Sequence, residues 1–494
     1  MNAMNLPPPP CRRRVISALL TASLVAVSGC AQIPDLGPKP VLKPVEQLES
    51  AKSFSAPAAA WPGDRWWEAY GDPQLSGLIE EALRDSPDLE RAQARLRQAG
   101  AGVQSAGAAL MPEVTGNASF TQEKQSYNYL MPRAAVPQDW HDYGRATLNL
   151  SWELDFWGKN RSALAAATSE HQAAQAEMAQ ARLILSTSVA SAYAELLHLF
   201  TVHDSAEAAL ASRTKTVELF RDRYQFGLEN LASVRRVEAR QAASEAELRS
   251  IDERIALQRN AIAALLGAGP DRGLAITRPT ARFSGTDGLP ANLALELLGR
   301  RPDVVAARLR TEAAAKRIDQ QKAGFYPSVN LLAFVGFHSL GIANLTSSGS
   351  DVGSFGPAIS LPIFNTERLQ GQLRGARAEY DAAVASYNGT LTNALREVAD
   401  AVTSRKALTG ELAAARAAVD ASGDAHRIVK QRYQGELANY LDVLTAEDEL
   451  ISARRALADI ETRALVLDVA LVRALGGGFQ SADNPPGASP ATPK

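Results

Sequence analysis

The sequence predicts an α+β membrane protein with an internal two-fold repeat, each copy supplying very long helices and two membrane-spanning strands. Three observations lead there. The chain matches itself at a nearly fixed offset, it holds two long stretches without proline, and four segments of about ten residues alternate apolar with polar side chains.

Composition narrows the class first. At 46% hydrophobic and 21% charged residues, the chain is too apolar for disorder, and 494 residues exceed one small domain. Fifty-two Lys+Arg against 54 Asp+Glu leave a formal charge of −2, so no bulk basic field recruits nucleic acid. A mean hydropathy of −0.15 excludes a multi-helix transporter. Two cysteines cannot build a disulfide scaffold or a zinc finger.

The N-terminus reads as an address. Arg12, Arg13 and Arg14 precede an uncharged stretch, residues 15–27, too short to cross the bilayer as a helix. It ends in Val27-Ser28-Gly29-Cys30, which resembles a bacterial lipobox. Cys30 then becomes the first mature residue and carries the acyl chains that anchor the protein. Ala31 follows it where an Asp, by resemblance, would retain the protein in the inner membrane, so the outer membrane is favoured. Residues 31–60, rich in Pro, Ala and Ser, read as a tether.

The duplication comes next. Ser86-Pro87-Asp88 and Arg301-Pro302-Asp303 open two amphipathic runs that end at Pro112 and Pro327, with Ala92, Arg95 and Ala99 recurring as Ala307, Arg310 and Ala314. Further along, Ser151 matches Ser360, Glu170 matches Glu379, and Arg223-Tyr224-Gln225 matches Arg432-Tyr433-Gln434. One offset sustained over so much chain identifies two copies of one unit. The chain divides into a signal peptide (1–29), a lipidated cysteine and tether (30–60), a first repeat (61–280), a second repeat (281–476) and a disordered tail (477–494).

No proline occurs between Gln138 and Gly269, or between Ile363 and Asn484. An interior proline costs a helix about 3 kcal/mol, so these gaps permit unusually long helices. In the second gap Leu369, Leu373, Tyr380, Val384, Tyr387, Leu391, Leu395, Val398 and Val402 step by threes, fours and one seven, the periodicity of coiled-coil packing. Each gap is expected to hold two helices, folded back near Arg213 in one copy and near Ser422 in the other.

Four segments change period. Val114, Gly116, Ala118 and Phe120 alternate with polar residues, as do Ala146, Leu148, Leu150, Trp152 and Leu154. The second copy offers Val329 to Phe337, with a less polar opposite face, and Phe355 to Ile363, interrupted by Pro357 and Pro362. Proline inside a strand pattern points to an edge or a bulge. Ten residues suffice for a tilted strand across an outer membrane, with one face for lipid and one for water. Half-buried hairpins of a soluble protein share the pattern; lipid anchoring argues against them. Four strands cannot close a membrane barrel and bare edges are not tolerated in lipid, so the wall must be shared between chains. Two chains give eight strands and three give twelve; arithmetic does not choose between them.

Together these residues resemble the TolC-like outer membrane factor family, in its lipoprotein branch of NodT/OprM type. The matching motifs are Cys30, Trp66-Trp67, Asp72-Pro73-Gln74-Leu75, the run from Ser151 to Gly158, Leu361-Pro362-Ile363-Phe364, and the paired Arg223-Tyr224 and Arg432-Tyr433 segments. The resemblance runs from Cys30 to about Gly476. It implies a homotrimer whose twelve-stranded β-barrel continues into a long periplasmic α-helical coiled-coil barrel. Such a duct is the exit of a tripartite efflux pump, joined to an inner-membrane transporter of RND type by a periplasmic adaptor.

No enzyme is expected. The chain has no GxxxxGK[ST], GxSxG or HExxH, and its six histidines do not cluster at ligand spacing; His198 and His203 stand five apart. Neither cofactor nor metal is expected. The chemistry of a duct lies in gating, where rings of identical side chains constrict the pore. The resemblance implies acidic and arginine residues near the periplasmic tip of the second repeat, and the candidates here are Arg405, Asp420 and Asp424. Ala417 stands where one family acidic residue aligns. Turns near residues 208–213 and 420–424 are the expected adaptor-docking tips. The Arg-Tyr pairs, with Gly227 and Gly435 after them, are expected to break helices at mid-barrel. Two other readings are the exit channel of a type I protein secretion system and a non-transporting lipoprotein bridging the periplasm. Loops at 121–143 and 338–352, which make sense outside a membrane, count against the last.

Overall fold

The computed structural model describes residues 32–49, 52–54, 57–128, 131–281, 288–290, 293–435 and 437–481. Cys30 and the signal peptide lie outside these residues. Among the described residues, the main elements of the first repeat are α1 (Pro73–Asp85), α2 (Pro87–Ala108), β1 (Glu113–Glu123), β2 (His141–Glu153), α3 (Lys159–Gln225) and α4 (Leu231–Leu265). The second repeat follows with α5 (Leu293–Arg300), α6 (Pro302–Ala323), β3 (Ser328–Leu340), β4 (Asp351–Ser360), α7 (Thr366–Gln434) and α8 (Tyr440–Ala474). The duplication shows in the lengths. Helices α2 and α6 each have 22 residues, α4 and α8 each have 35, and α3 and α7 have 67 and 69.

The long helices overrun the expected fold-back points. Arg213 and Ser422 lie inside α3 and α7, and residues 208–213 and 420–424 are helical throughout. Nothing there stops a helix, and the apolar stripe continues past Arg213 through the buried Val217 and Phe220. The chain turns instead at residues 226–230 and between the end of α7 at Gln434 and the start of α8 at Tyr440, after the Arg-Tyr pairs. Gly227 adopts φ +71°, the left-handed conformation that ends a helix at little cost only without a Cβ. Asn230 then caps α4 through Ser233 N–H, and Asn439 and Asp442 form a reciprocal capping box on α8. The Arg-Tyr pairs therefore sit at the hairpin turns of the helices rather than at mid-length breaks.

The described chain forms two compact units. The first takes residues up to 41, 97–172 and 308–386, and holds the sheet. Below the sheet Ile318, Phe325, Leu369, Leu373 and Ala376 make a small core, with Leu36 packed against it. That last contact corrects the reading of residues 31–60 as a free tether. The Gln32 carbonyl accepts from Gln370 Nε2 at 3.1 Å, the Pro38 carbonyl from Arg377, and the Pro40 carbonyl from the Tyr380 hydroxyl at 3.2 Å. Prolines at 34, 38 and 40 hold this strap extended, where its carbonyls have no ladder partner and are open to side-chain donors on α7.

The second unit takes residues 42–96, 173–307 and the chain from 387 on. Trp66, Trp67, Tyr70, Leu75, Leu78, Ile79, Val189, Tyr193, Leu196 and Ile262 share its largest core. The strap continues here, with Val45 buried beside Val304, Tyr387 and Leu391. Arg301, only 5% exposed, binds Asp303 at 2.6 Å, Glu397 at 2.7 Å and the Ala474 carbonyl at 3.3 Å, which ties the start of α6 to α7 and to the end of α8. The tail begins later than expected. Residues 476–478 thread a passage in which a Cβ on Gly477 would collide with the Leu183 side chain, and Ser481 N–H donates to the Gly299 carbonyl at 2.9 Å. Helix α3 is apolar enough over one window to cross a membrane, but Leu185, Val189, Ala190, Tyr193, Ala194, Leu196 and Leu199 within it are buried in this core.

Candidate membrane wall and gate

All four expected strands form, as one antiparallel sheet in the order β1-β2-β3-β4. The register lines up their alternations. Val114 faces Leu150, Leu148 faces Val335, Leu150 faces Ala333, and Ala333 faces Phe355, so one side of the sheet is apolar across all four strands. The other side carries Thr115, Asn117 and Ser119 against Asn149, Thr147 and Arg145. A one-residue slip would exchange the two faces, so this pairing is what separates lipid from water. Val114, Leu148, Val335, Phe355 and Ile359 on the apolar face are all exposed, Phe355 at 88%, so the described residues leave most of that face uncovered. Ten to thirteen residues at about 3.3 Å each, tilted by about 40°, span roughly 25–33 Å, the height of an outer-membrane apolar band.

Proline placement agrees. Pro357 pairs with Leu331 inside β4, which is an edge strand, and Pro362 lies beyond the strand end. At the helix-proximal end of the sheet, Trp152 donates its ring N–H to the Leu110 carbonyl at 3.0 Å. Trp157 donates to the Pro327 carbonyl at 2.8 Å and stacks on Tyr326 at 4.6 Å. Phe156 and Phe364 are exposed beside them, so this end carries an aromatic belt with its polar tips satisfied. Among the described residues of one chain, β1 and β4 each leave an edge without a partner strand.

The three gate candidates do not come together. Arg405 on α7 is 11% exposed at its side chain and pairs with Asp468 of α8 at 3.3 Å, whose other oxygen accepts from the Tyr70 hydroxyl at 2.7 Å. Burial and the Asp468 charge push the Tyr70 hydroxyl well above its ordinary range, so it remains a donor. Arg405 is thus committed to a link within its own chain. Asp420 and Asp424 are exposed, and Asp424 pairs with Arg427 at 3.0 Å one turn on. Fifteen to nineteen residues separate them from Arg405 along one helix, about 22–28 Å of rise.

Other charged links were not legible in the sequence. Asp448 of α8 accepts from Arg213 of α3 at 2.9 Å and from Arg240 of α4 at 3.2 Å, and Glu247 of α4 pairs with Arg455 of α8 at 2.5 Å. These ion pairs bind helices of the first repeat to a helix of the second. Near the turns Phe220 and Tyr440 pack with centroids 4.0 Å apart, Tyr433 lies 5.5 Å from Tyr440, and the Arg223 guanidinium stands over Tyr433 at 5.5 Å. The 209-residue offset pairs Tyr433 with Tyr224, yet Tyr224 is exposed with Phe226, Leu228 and Leu231 around the first turn. Leu437 and Leu441 are the exposed apolar residues of the second. His203, Asp204 and Glu207 bring ligand atoms within 4.8 Å of one another on α3, but Arg278 already holds both Asp204 oxygens.

A family model described as outer membrane efflux protein matches residues 78–268 and 293–477. The chain superposes on the crystal structure of the outer membrane protein VceC from Vibrio cholerae with a TM-score of 0.80 and 49% identity, over 85% of this chain and 100% of that one. It is 31% identical over 481 residues to the multidrug resistance outer membrane protein MdtP of Shigella flexneri, covering 95% of this chain and 98% of the relative. It is 36% identical over 367 residues to the fusaric acid resistance protein FusA of Burkholderia cepacia, 73% of this chain and 69% of the relative.

Proposed function

This chain belongs to the outer membrane efflux protein family, and from that premise we propose that its closed trimer is the passive exit duct of a tripartite pump. It is an outer membrane efflux channel that extends into the periplasm, and channels of this kind work as trimers with an adaptor and an inner-membrane transporter. The observation that carries the proposal is the sheet. One face is apolar and uncovered, the other is polar, and two edges are bare. In lipid those edges must pair, and three copies close a twelve-stranded wall with room for a pore. The free energy of transport comes from the inner-membrane transporter, which we take to be of RND type.

The names of the relatives point to amphipathic organic solutes: multidrug resistance for MdtP and fusaric acid resistance for FusA. Deleting the gene should lower the inhibitory concentrations of dyes, detergents and drugs several-fold, and the intact chain should restore them. Unchanged values across all classes would count against efflux. Cys30, two residues before the bound strap, is proposed as the lipidated anchor.

For the gate we retain Asp420 and Asp424, which are exposed on α7, as pore-facing candidates. Replacing both by Ala should raise single-channel conductance in planar bilayers, and unchanged conductance removes them. Arg405 is proposed to act through Asp468, holding α7 against α8. The docking tips move with the helix turns, to residues 226–230 and to the turn between α7 and α8, where Phe226, Leu228, Leu437 and Leu441 stand exposed for an adaptor.

A further inference from the structure

The polar face of the sheet is dominated by Thr, Ser and Asn, and its acidic groups sit at the strand ends. Glu113 and Glu123 begin and end β1, and Glu153 closes β2, where Lys159 neutralises it at 3.0 Å. One cation stands inside that span. Arg145 on β2 lies in register between Ser119 on β1 and His338 on β3, exposed on the polar side. Its guanidinium lies 6.0 Å from the ring of Phe334, which shares that face. A phenylalanine on a water-facing wall is costly by itself; here its ring gives the guanidinium a cation–π seat that holds it over the wall. The same Phe334 is what makes the polar side of β3 look irregular in the sequence.

We propose that Arg145 sets the ion preference of the duct, three copies forming a cationic ring that favours anionic solutes through the barrel. The proposal rests on the trimeric-duct reading above. Twelve strands spaced by about 4.8 Å and tilted by about 40° enclose a wall of about 12 Å radius. An arginine reaching inward by about 6 Å places its charge about 6 Å from the axis, inside the Debye length of about 10 Å at 0.1 M salt. Three such charges raise the anion concentration on the axis about sevenfold at 0.1 M and lower the cation concentration by the same factor. At 1 M the screening length falls to about 3 Å and the preference fades. Rings of Arg or Lys are the usual means by which pores prefer anions.

The test uses the full lipidated chain in planar bilayers, with reversal potentials measured in a potassium chloride gradient. The chloride-to-potassium permeability ratio near 0.1 M should be retained by Arg145→Lys, fall more than about tenfold with Arg145→Gln, and fall further with Arg145→Glu. Equal reversal potentials for wild type, Gln and Glu would overturn the proposal while leaving the duct intact. A wild type that carries no current would instead overturn the duct reading. To bypass any effect on assembly, Arg145→Cys channels already inserted can be treated with a negatively or a positively charged methanethiosulfonate. The sequence has only Cys11 and Cys30 besides, one in the signal peptide and one acylated in our reading. Opposite shifts in selectivity with the two reagents support the ring, and no shift with either overturns it.

Discussion

Asp72 illustrates how one side chain organises much of the second unit. Its Oδ1 caps α1 through Gln74 N–H at 2.9 Å, with Pro73 opening the helix, while its Oδ2 accepts from the Tyr193 hydroxyl and from Thr280 N–H, both at 2.8 Å. Burial raises its pKa, but hydrogen bonds from Thr280, Tyr193 and Leu75 overcome that and hold the carboxyl below the ordinary range. Asp72→Ala removes the acceptor of five hydrogen bonds, from the Gln74, Leu75 and Thr280 N–H groups and the Tyr193 and Thr280 hydroxyls, and should cost about 3 kcal/mol, seen as a lower melting midpoint of the purified protein in detergent. Asp424→Ala, at an exposed pair, should change it by under about 0.5 kcal/mol. Because the folded pKa of Asp72 is depressed, its stabilisation is complete above the unfolded value of about 4 and is lost as the pH falls through the lowered folded value. The difference between wild type and Asp72→Asn should therefore hold steady from pH 7 to about 5 and shrink only in more acid solution. The Asp72-Pro73 pair was readable as a helix start. Its link to Tyr193 and Thr280 was not, because those partners lie 121 and 208 residues away.

At the scale of elements, the proline-free gaps announced long helices and the period of four segments announced strands, and all of them form. What misled was the position of the helix turns. The fold-back points expected near Arg213 and Ser422 do not form: residues 208–213 and 420–424 are helical throughout, and beyond Arg213 the buried stripe runs on through Val217 and Phe220. The true stop signals were local and present: a glycine followed three or four residues on by a capping Asn, with Asp442 completing the box in the second copy. Moving the turns moves the docking prediction. Phe226→Asp with Leu228→Asp, both at exposed positions, should weaken adaptor capture by about tenfold while leaving the melting midpoint in place. Equal capture would place the adaptor elsewhere. Asp420 and Asp424 are exposed fourteen and ten residues before the end of α7, about 15–21 Å of rise from the turn, so the turn variants and the gate variants report on separate events.

For the whole molecule, the decisive contrast is between the two faces of the sheet. Val335→Arg places a charge among lipid-facing residues and should cost about 2–4 kcal/mol of folding into a bilayer, measured by denaturant titration in vesicles. Ser151→Arg, on the water face, should cost far less. Equal costs would mean that the sheet does not divide lipid from water. The sequence by itself determined the repeat, the strand and helix periods and the need for neighbouring copies, because each follows from local spacing or from the rule that lipid leaves no backbone edge unpaired. Only the tertiary structure decided which strands meet in which register, that the segment from Gln32 to Val45 is a bound strap, and which partners Arg405 and Asp72 hold. Those outcomes depend on contacts between residues tens to hundreds of positions apart, and no pattern within a short window of sequence carries that information.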